Sequence, residues 1–388
     1  MASKKIKVLQ VIPKLGYGGA ETGCYDIAHY LAEKECASFI ATSGGGLLKY
    51  VKKNKVKIFR LPVHSKNPIL IVFNTIILSF LILFYNINIV HARSRAPAWS
   101  SYLACLITRR KFVTTFHGTY NFKSKIKRFY NSIMLRSHLT IAGSNFIFDH
   151  IHSNYSDLLG TNKKLLVIFR GINTDYFSNS NIEGQKVEKF TSTLKLEHQM
   201  FKILLPGRLT RWKGQEMFIE ALSLLKTKYN KKNFKAIILG PHQNRKVYLK
   251  KLFSMVEKNR LKDNTVFLTF YEDMPIAYHV ADIVVSASIE PEAFGRVAVE
   301  AQAMQRPILA SDLGGSKETI INGKSGFLFK NGNPDSLAEH LNNIIEMDKD
   351  KLQSIGNEGR KNILIKFDVE KMCNSTFTEY QKLIKKKK

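Results

Sequence analysis

Short β-branched and apolar runs alternate with stretches of helical periodicity through most of the chain. KVLQVIP, IVHAR, FVTTF, LTIAGS and LLVIF recur in the first half, and FKILLPG, KAIILG, TVFLTF, DIVVSAS and PILASD in the second. Apolar strands set between amphipathic helices indicate parallel sheets covered on both faces. The pattern predicts an α/β protein of two doubly wound, Rossmann-like domains. The first is expected over 1–180 and the second over 195–366. The polar stretch SNSNIEGQKVEKF, without apolar period, marks a boundary within 175–198. Segment 367–388, with a helix from about Val369 to Leu383, is expected to cross back to the first domain.

One segment breaks the alternation. Ile69 to Tyr85, ILIVFNTIILSFLILFY, is almost continuously apolar over 17 residues, at the lower limit for crossing a bilayer. It runs within a few residues into the strand NIVHARS. A spanning helix would leave the strands before and after it on opposite sides of a membrane and split one sheet. The segment is therefore expected to be a buried or membrane-docked helix. A second helix is predicted over Phe122 to Met134. It places Phe122, Ile126, Phe129 and Ile133 on one face, and Lys123, Lys125, Lys127 and Arg128 over much of the rest. A basic amphipathic helix of that kind suits an anionic membrane surface.

Composition bounds the picture. The 388 residues fit two domains of ordinary size, and 44% hydrophobic and 11% aromatic content supports packed cores rather than disorder. Cys24, Cys36, Cys105 and Cys373 form no C-x-x-C pair and read as reduced thiols. Met1 to Lys7 is basic but leads into a strand-like run, so no cleavable leader is expected. The formal charge of +29 calls for an anionic partner: nucleic acid, lipid or a phosphorylated substrate.

Four motifs carry candidate chemistry. Gly16-Tyr17-Gly18-Gly19-Ala20-Glu21 follows the first strand and opens a helix. There, glycines let the backbone approach a ligand and the helix N-terminus favours an anion. Thr114-Thr115-Phe116-His117-Gly118 ends a strand, and strand carboxyl ends face the ligand crevice of open α/β sheets. His117 could bond a sugar hydroxyl or a reacting group. In Pro206-Gly207-Arg208-Leu209-Thr210-Arg211-Trp212-Lys213-Gly214, Arg208 and Lys213 could converge on a diphosphate, one as a planar fork and the other as a point charge. In Pro291-Glu292-Ala293-Phe294-Gly295-Arg296-Val297-Ala298-Val299-Glu300-Ala301, Glu292 lies in a loop and a helix begins near Gly295. The N–H groups of Phe294 and Gly295 are expected to face a ligand, and Glu300, one and a half turns inside, to reach a ribose diol.

These blocks, with HARSRAPAW, AGSNF and GGSKETIINGKSGFLF, closely resemble the retaining glycosyltransferase family 4, the group 1 glycosyltransferases of GT-B fold. The resemblance covers nearly the whole chain. It implies two Rossmann-like domains facing a cleft, the first on the acceptor side and the second binding the nucleotide sugar. It implies that Gly18 and Gly19 line the N-terminal side and that His117 contacts the donor sugar. It gives the diphosphate to Arg208 and Lys213, the donor sugar hydroxyls to Glu292, and the ribose to Glu300. Phe294, Gly295 and Val297 are then donor-binding, and Phe270 and Tyr271 lie near the base. One departure is visible at Pro241-His242-Gln243-Asn244, where the family more often has a small or acidic residue. The resemblance also implies a hexosyltransferase-type reaction with retention, in bacterial lipopolysaccharide or other envelope-polysaccharide biosynthesis. The acceptor would be lipid-linked or a glycan, and the setting cytoplasmic, peripheral on the inner membrane.

No metal or other cofactor is expected. The one Asp-x-Asp pair, Asp348 and Asp350, sits in the polar stretch EMDKDK rather than at a strand end. Arg208, Lys213 and a helix N-terminus could stabilise the leaving diphosphate without metal. No side chain stands out as a covalent nucleophile, and the leaving phosphate itself could accept the acceptor proton. Two other readings stand beside transfer. One is a nucleotide-sugar enzyme of epimerase type on the same fold. The other is a non-catalytic basic protein binding membrane or nucleic acid. Nucleic acid is not expected as a partner, because the motifs are cleft motifs rather than stacking aromatics along a basic groove.

Overall fold

The computed structural model of the chain describes residues 5–159, 164–197 and 199–385. These form two compact units, residues 1–171 with 369–388, and residues 172–368.

Unit 1 holds strands β1 (Lys7–Val11), β2 (Ala37–Thr42), β3 (Val56–Arg60), β4 (Ile89–Ala92), β5 (Lys111–Phe116), β6 (Leu139–Ala142) and β7 (Lys164–Val167). They form one parallel sheet in the order β3-β2-β1-β4-β5-β6-β7. Its helices are α1 (Gly19–Glu33), α2 (Pro68–Phe84), α3 (Arg95–Thr108), α4 (Lys125–Ser132) and α5 (Asn145–Tyr155). The fully buried β4 and β6 explain why such strands read as unbroken apolar runs.

Unit 2 begins with α6 (Gly184–Thr193) and holds β8 (Phe201–Pro206), β9 (Phe234–Leu239), β10 (Thr265–Leu268), β11 (Ile283–Ser286), β12 (Ile308–Ser311) and β13 (Phe327–Phe329). Its parallel sheet runs β10-β9-β8-β11-β12-β13. Covering it are α7 (Gln215–Thr227), α8 (Lys246–Lys258), α9 (Met274–Val280), α10 (Arg296–Ala303), α11 (Ser316–Thr319), α12 (Pro334–Ile345) and α13 (Lys349–Lys366). The chain then returns to unit 1 as α14 (Val369–Lys385), which packs Met372, Cys373 and Tyr380 into a core with Ile27, Leu31 and Val113.

Strand order reverses direction between β1 and β4 in unit 1 and between β8 and β11 in unit 2. Loops leaving neighbouring strands there diverge to opposite faces, which opens a crevice at the strand carboxyl ends. The Gly16–Glu21 loop leaves β1, and the Arg208–Lys213 and Glu292 loops leave β8 and β11. Three of the four candidate motifs thus stand at the two switch points, and His117 follows β5, one strand along from β4.

Three expectations change. The units divide at Gly171/Ile172, ahead of the polar 175–198 stretch, which belongs to unit 2 and contains α6. Its one buried side chain, Phe190, packs on Tyr271 with ring centres 4.7 Å apart, too little apolar repeat to reveal a helix. The apolar segment 69–85 is α2 and is only half-buried. The basic helix is shorter than expected. Phe122 precedes it, leaning on Tyr155, and Ile133 is buried in a following 3-10 turn, so only Ile126 and Phe129 stand exposed.

Candidate active site

In unit 1 the site is built from strand ends. Gly18 caps α1 in extended backbone and Gly19 begins it. The side chain of Arg170, just past β7, donates through Nη2 to the carbonyl of Gly19 and through Nη1 to His117 Nδ1, 2.7 Å away. A guanidinium has no acceptor, so His117 Nδ1 must accept, and its proton sits on Nε2. That Nε2 is buried without a hydrogen-bond partner among the described residues. Burial holds His117 well below the usual histidine range, and the charges of Arg170, Arg93 and His91 add to it. His117 is therefore a neutral ring offering one N–H.

Behind it, His91 on β4 bonds Thr115 Oγ1 at 2.7 Å and the hydroxyl of Tyr380 from α14. Burial and the Arg93 charge also hold His91 well below its usual range. This Tyr380–His91–Thr115 chain braces the strand end that carries His117. Arg93, 3% exposed, bonds only neutral oxygens: Gln10 Oε1 from Nε and Nη2, and the carbonyl of Gly23. Lys14, Glu21, His64, Arg93, Ser94 and His117 line a cavity of about 330 Å³. A buried guanidinium held by neutral groups keeps its full charge for a ligand. Sequence reasoning missed Arg93 and Arg170. Arg93 was visible only as part of HARSRAPAW, and nothing local distinguished Arg170 at the end of LLVIFR.

In unit 2, Lys213 Nζ lies 2.6 Å from Glu292 Oε1, and Ser288 Oγ donates to the same oxygen at 2.5 Å. Burial alone would raise the Glu292 carboxyl. The Lys213 charge and hydrogen bond, the Ser288 bond and the Arg208 charge outweigh that and lower it. Arg208, Lys213 and Glu292 are thus one cluster. Trp212 lies under both cations, its ring centre 4.6 Å from Lys213 Nζ and 5.8 Å from Arg208 Cζ.

Backbone geometry fixes this cluster. Gly214 has φ +73°, and a Cβ there would sit 1.8 Å from the Ala287 carbonyl oxygen. The loop carrying Lys213 can meet the β11 loop only with glycine at that point. Gly315 plays the same part on the other side, where a Cβ would press on the backbone of Phe294 at 2.6 Å. Its N–H donates to the Glu292 carbonyl at 2.8 Å.

Gly295, at φ +79°, caps α10. The N–H groups of Phe294 and Gly295 donate to no protein acceptor among the described residues. Glu300, one turn into α10, is buried, with a partner on each carboxylate oxygen. Tyr278 Oη donates to its Oε2 at 2.8 Å, and Arg296 Nε to its Oε1. The two glutamates therefore serve different partners rather than one. Val297 is nearly buried in the first turn of α10. Phe270 is 62% exposed just past β10, and Tyr271 is half-buried against Phe190. Asp348 and Asp350 stand exposed at the start of α13, away from any strand end. No group of three His, Cys, Asp or Glu able to hold a metal occurs among the described residues.

Comparison with known proteins supplies the family context. Residues 187–362 match the family Glycosyl transferases group 1, and residues 17–176 match Glycosyltransferase Family 4. The crystal structure of a glycosyltransferase from Rickettsia africae is 35% identical, with a TM-score of 0.90 over 99% of this chain and 100% of that one. Anabaena HepE, solved in complex with UDP and glucose, shares the fold at 24% identity, with a TM-score of 0.81 over 97% of this chain and 100% of that one. The capsular polysaccharide biosynthesis glycosyltransferase CapM of Staphylococcus aureus is 25% identical over 239 residues. That match spans 59% of this chain and 58% of CapM.

Proposed function

Because the chain belongs to the group 1 glycosyltransferases of family 4, we propose that it transfers a sugar from a nucleotide-sugar donor to an acceptor, with retention of configuration. The observation that carries the reading is the unit 2 cluster. Two cations, a carboxylate and two free backbone N–H groups at a helix N-terminus meet at a sheet switch point. This is an anion site with a polar hydroxyl acceptor beside it.

In this reading Arg208, Lys213 and the α10 N-terminus take the diphosphate, and Glu292 takes hydroxyls of the donor sugar. Glu300 already accepts from Tyr278 and Arg296, and in this reading the ribose diol donates to the second lone pairs of the same two carboxylate oxygens. Phe270, exposed beyond β10, offers a face for the base, beside Tyr271. As the sugar–phosphate bond breaks, charge grows on the leaving phosphate, and the cluster stabilises it without reorganising. The Lys213–Glu292 pair holds both side chains in place before the donor arrives, so the ammonium is already placed. The leaving phosphate accepts the acceptor proton. No metal is required.

Unit 1 takes the acceptor. His117 acts as a hydrogen-bond donor to a sugar hydroxyl rather than as a base, since its Nδ1 is occupied by Arg170. The cavity beside buried Arg93 suits an acceptor carrying an anionic group, as a lipid-linked glycan does through its phosphate. Such an acceptor fits a role in assembling bacterial envelope polysaccharide at the cytoplasmic face of the inner membrane. CapM, a capsular polysaccharide enzyme, and HepE, which holds UDP and glucose, support this reading.

The test is thermal. A panel of nucleoside diphosphates and nucleotide sugars is titrated while the melting temperature is followed. A true donor at 100 times its Kd stabilises the fold by about 2.7 kcal/mol. Arg208→Ala should remove that shift. A wild-type protein that no nucleotide stabilises would overturn the reading.

A further inference from the structure

Helix α2 is built inside out. Its inward face carries Asn74, Thr75 and Ser79 along with Leu78, Leu81 and Ile82. Asn74 Nδ2 donates to the Pro62 carbonyl at 3.2 Å, and Thr75 and Ser79 return their hydroxyls to carbonyls four residues back. The neighbouring α3 buries small side chains, Ser100, Ser101, Ala104 and Cys105 among them. The outward face of α2 carries Ile69, Phe73, Ile76, Phe80, Leu83 and Phe84, with Ile69 77% and Phe84 68% exposed. Leu106 and Ile107 of α3 are exposed as well. A helix on a water-facing surface shows the opposite arrangement, and a patch of this extent marks a place where something docks.

Charge identifies the occupant. Between Glu35 and Asp149 the chain carries 17 Lys and Arg and no Asp or Glu. Several of these cations, with Lys7 from β1, stand at the two ends of α2. At its C-terminal end Lys57 Nζ lies 2.7 Å from the Tyr85 hydroxyl, Lys7 Nζ reaches the Tyr85 carbonyl, and Arg110 donates to Asn86. Before its N-terminal end, Lys66 lies over the Tyr130 ring. Tyr130 belongs to α4, which adds Lys125 and Lys127 beside the exposed Ile126 and Phe129, and Phe129 rests on Trp99 of α3. An apolar strip with cations at its margins is complementary to an anionic bilayer, acyl chains at the centre and headgroup phosphates at the rim. Among the described residues no helix is long and apolar enough to cross a membrane, and the Asn74–Pro62 bond and buried Leu78, Leu81 and Ile82 tie α2 to its own unit. It can enter only the interface, lying in the plane.

We propose that the exposed face of α2, extended by α4, seats unit 1 on an anionic phospholipid surface. The assignment goes beyond sugar transfer and does not depend on it. It moves the principal apolar contact from the basic helix α4 to α2.

The test is flotation of the full chain with phosphatidylcholine vesicles, with and without phosphatidylglycerol. Wild type should float with the mixed vesicles, and added salt should release it. Ile76→Asp with Phe80→Asp, both exposed positions, should cut the apparent affinity by about tenfold or more. Lys125→Glu with Lys127→Glu should weaken binding to the anionic vesicles alone. The nucleotide-induced thermal shift is read on the same preparations. It reports unit 2, so failure at the membrane and failure of the donor site are told apart, and hydrogen exchange in β1, β4 and β5 at wild-type level shows that unit 1 of each variant is folded. Absence of wild-type flotation, or flotation unchanged in the Asp variant, would overturn the proposal. So would a wild-type dimer by light scattering that Ile76→Asp converts to monomer, since a second copy would then be the occupant.

Discussion

In the proposed reading Lys213 and Glu300 divide the donor site by the kind of work each does, and kinetics can test that division. A phosphate facing Lys213 would gain charge as the bond breaks, whereas a ribose facing Glu300 would not change. An interaction that strengthens only in the transition state shows in kcat, and a uniform one shows in KM. Lys213→Ala should therefore lower kcat by about 10²-fold or more. Glu300→Gln should chiefly raise donor KM and weaken inhibition by the free nucleoside diphosphate. It also turns an amide toward Tyr278 or Arg296, so thermal melts must accompany the assay. Loss of turnover at saturating donor with nucleotide affinity intact would move Glu300 into the chemical step. The histidines of unit 1 give a pH prediction. His91 and His117 stay neutral in the fold, while the unfolded chain protonates them near 6.5. The unfolded state then binds more protons below that pH, so stability is full above it and falls as pH drops. The melting temperature should decline from about pH 7 to about pH 5, and His91→Gln should flatten the slope. An unchanged slope in that variant would mean that His91 is protonated in the fold.

Among elements, most strands were legible, the edge strands β7 and β10 included, but β2, β3 and β13 were not. β4, β6 and β11 are buried on both faces, so their sequences are continuous apolar runs. β3 lies at a sheet edge and reads VKIFR, with charges interrupting the run, and β13 is only FLF. β2, ASFIAT, is buried but built mostly of small residues that carry weak strand signal. The motif loops were legible because glycines and charges follow strong strands, as at GRLTRWKG. Arg170 was not, because its role depends on side-chain reach across strand ends to Gly19 and His117, and no local period encodes that. The apolar content of α2 was plain, but which residues face inward is set by the small side chains of α3. The glycine contacts give this scale its prediction. Gly214→Ala places a methyl against the Ala287 carbonyl at positive φ, and should cost about 1–3 kcal/mol. It should also shift Lys213 and so depress activity beyond the loss of stability. A variant with wild-type melting and turnover would show that the loop has other ways to close.

For the whole molecule, the chain order and the folding units do not coincide, because α14 is the last element in sequence but belongs to unit 1. It buries Met372, Cys373 and Tyr380 against β-sheet residues and supplies the hydroxyl that His91 bonds. Truncation after Asp368 should therefore raise hydrogen exchange in β1, β4 and β5 and leave the strands of unit 2 protected. Uniform deprotection of both units would contradict the division. The central claim, retaining transfer from a nucleotide sugar, is met most directly by one reaction followed by NMR. The purified chain, stripped of metal and held in excess EDTA, is given its stabilising nucleotide sugar and a lipid-linked glycan acceptor. The account predicts release of nucleoside diphosphate matched by a new glycosidic bond of the same anomeric configuration as the donor. An inverted product, an isomerised donor with no transfer, or activity that returns only with Mn²⁺ or Mg²⁺ would contradict it.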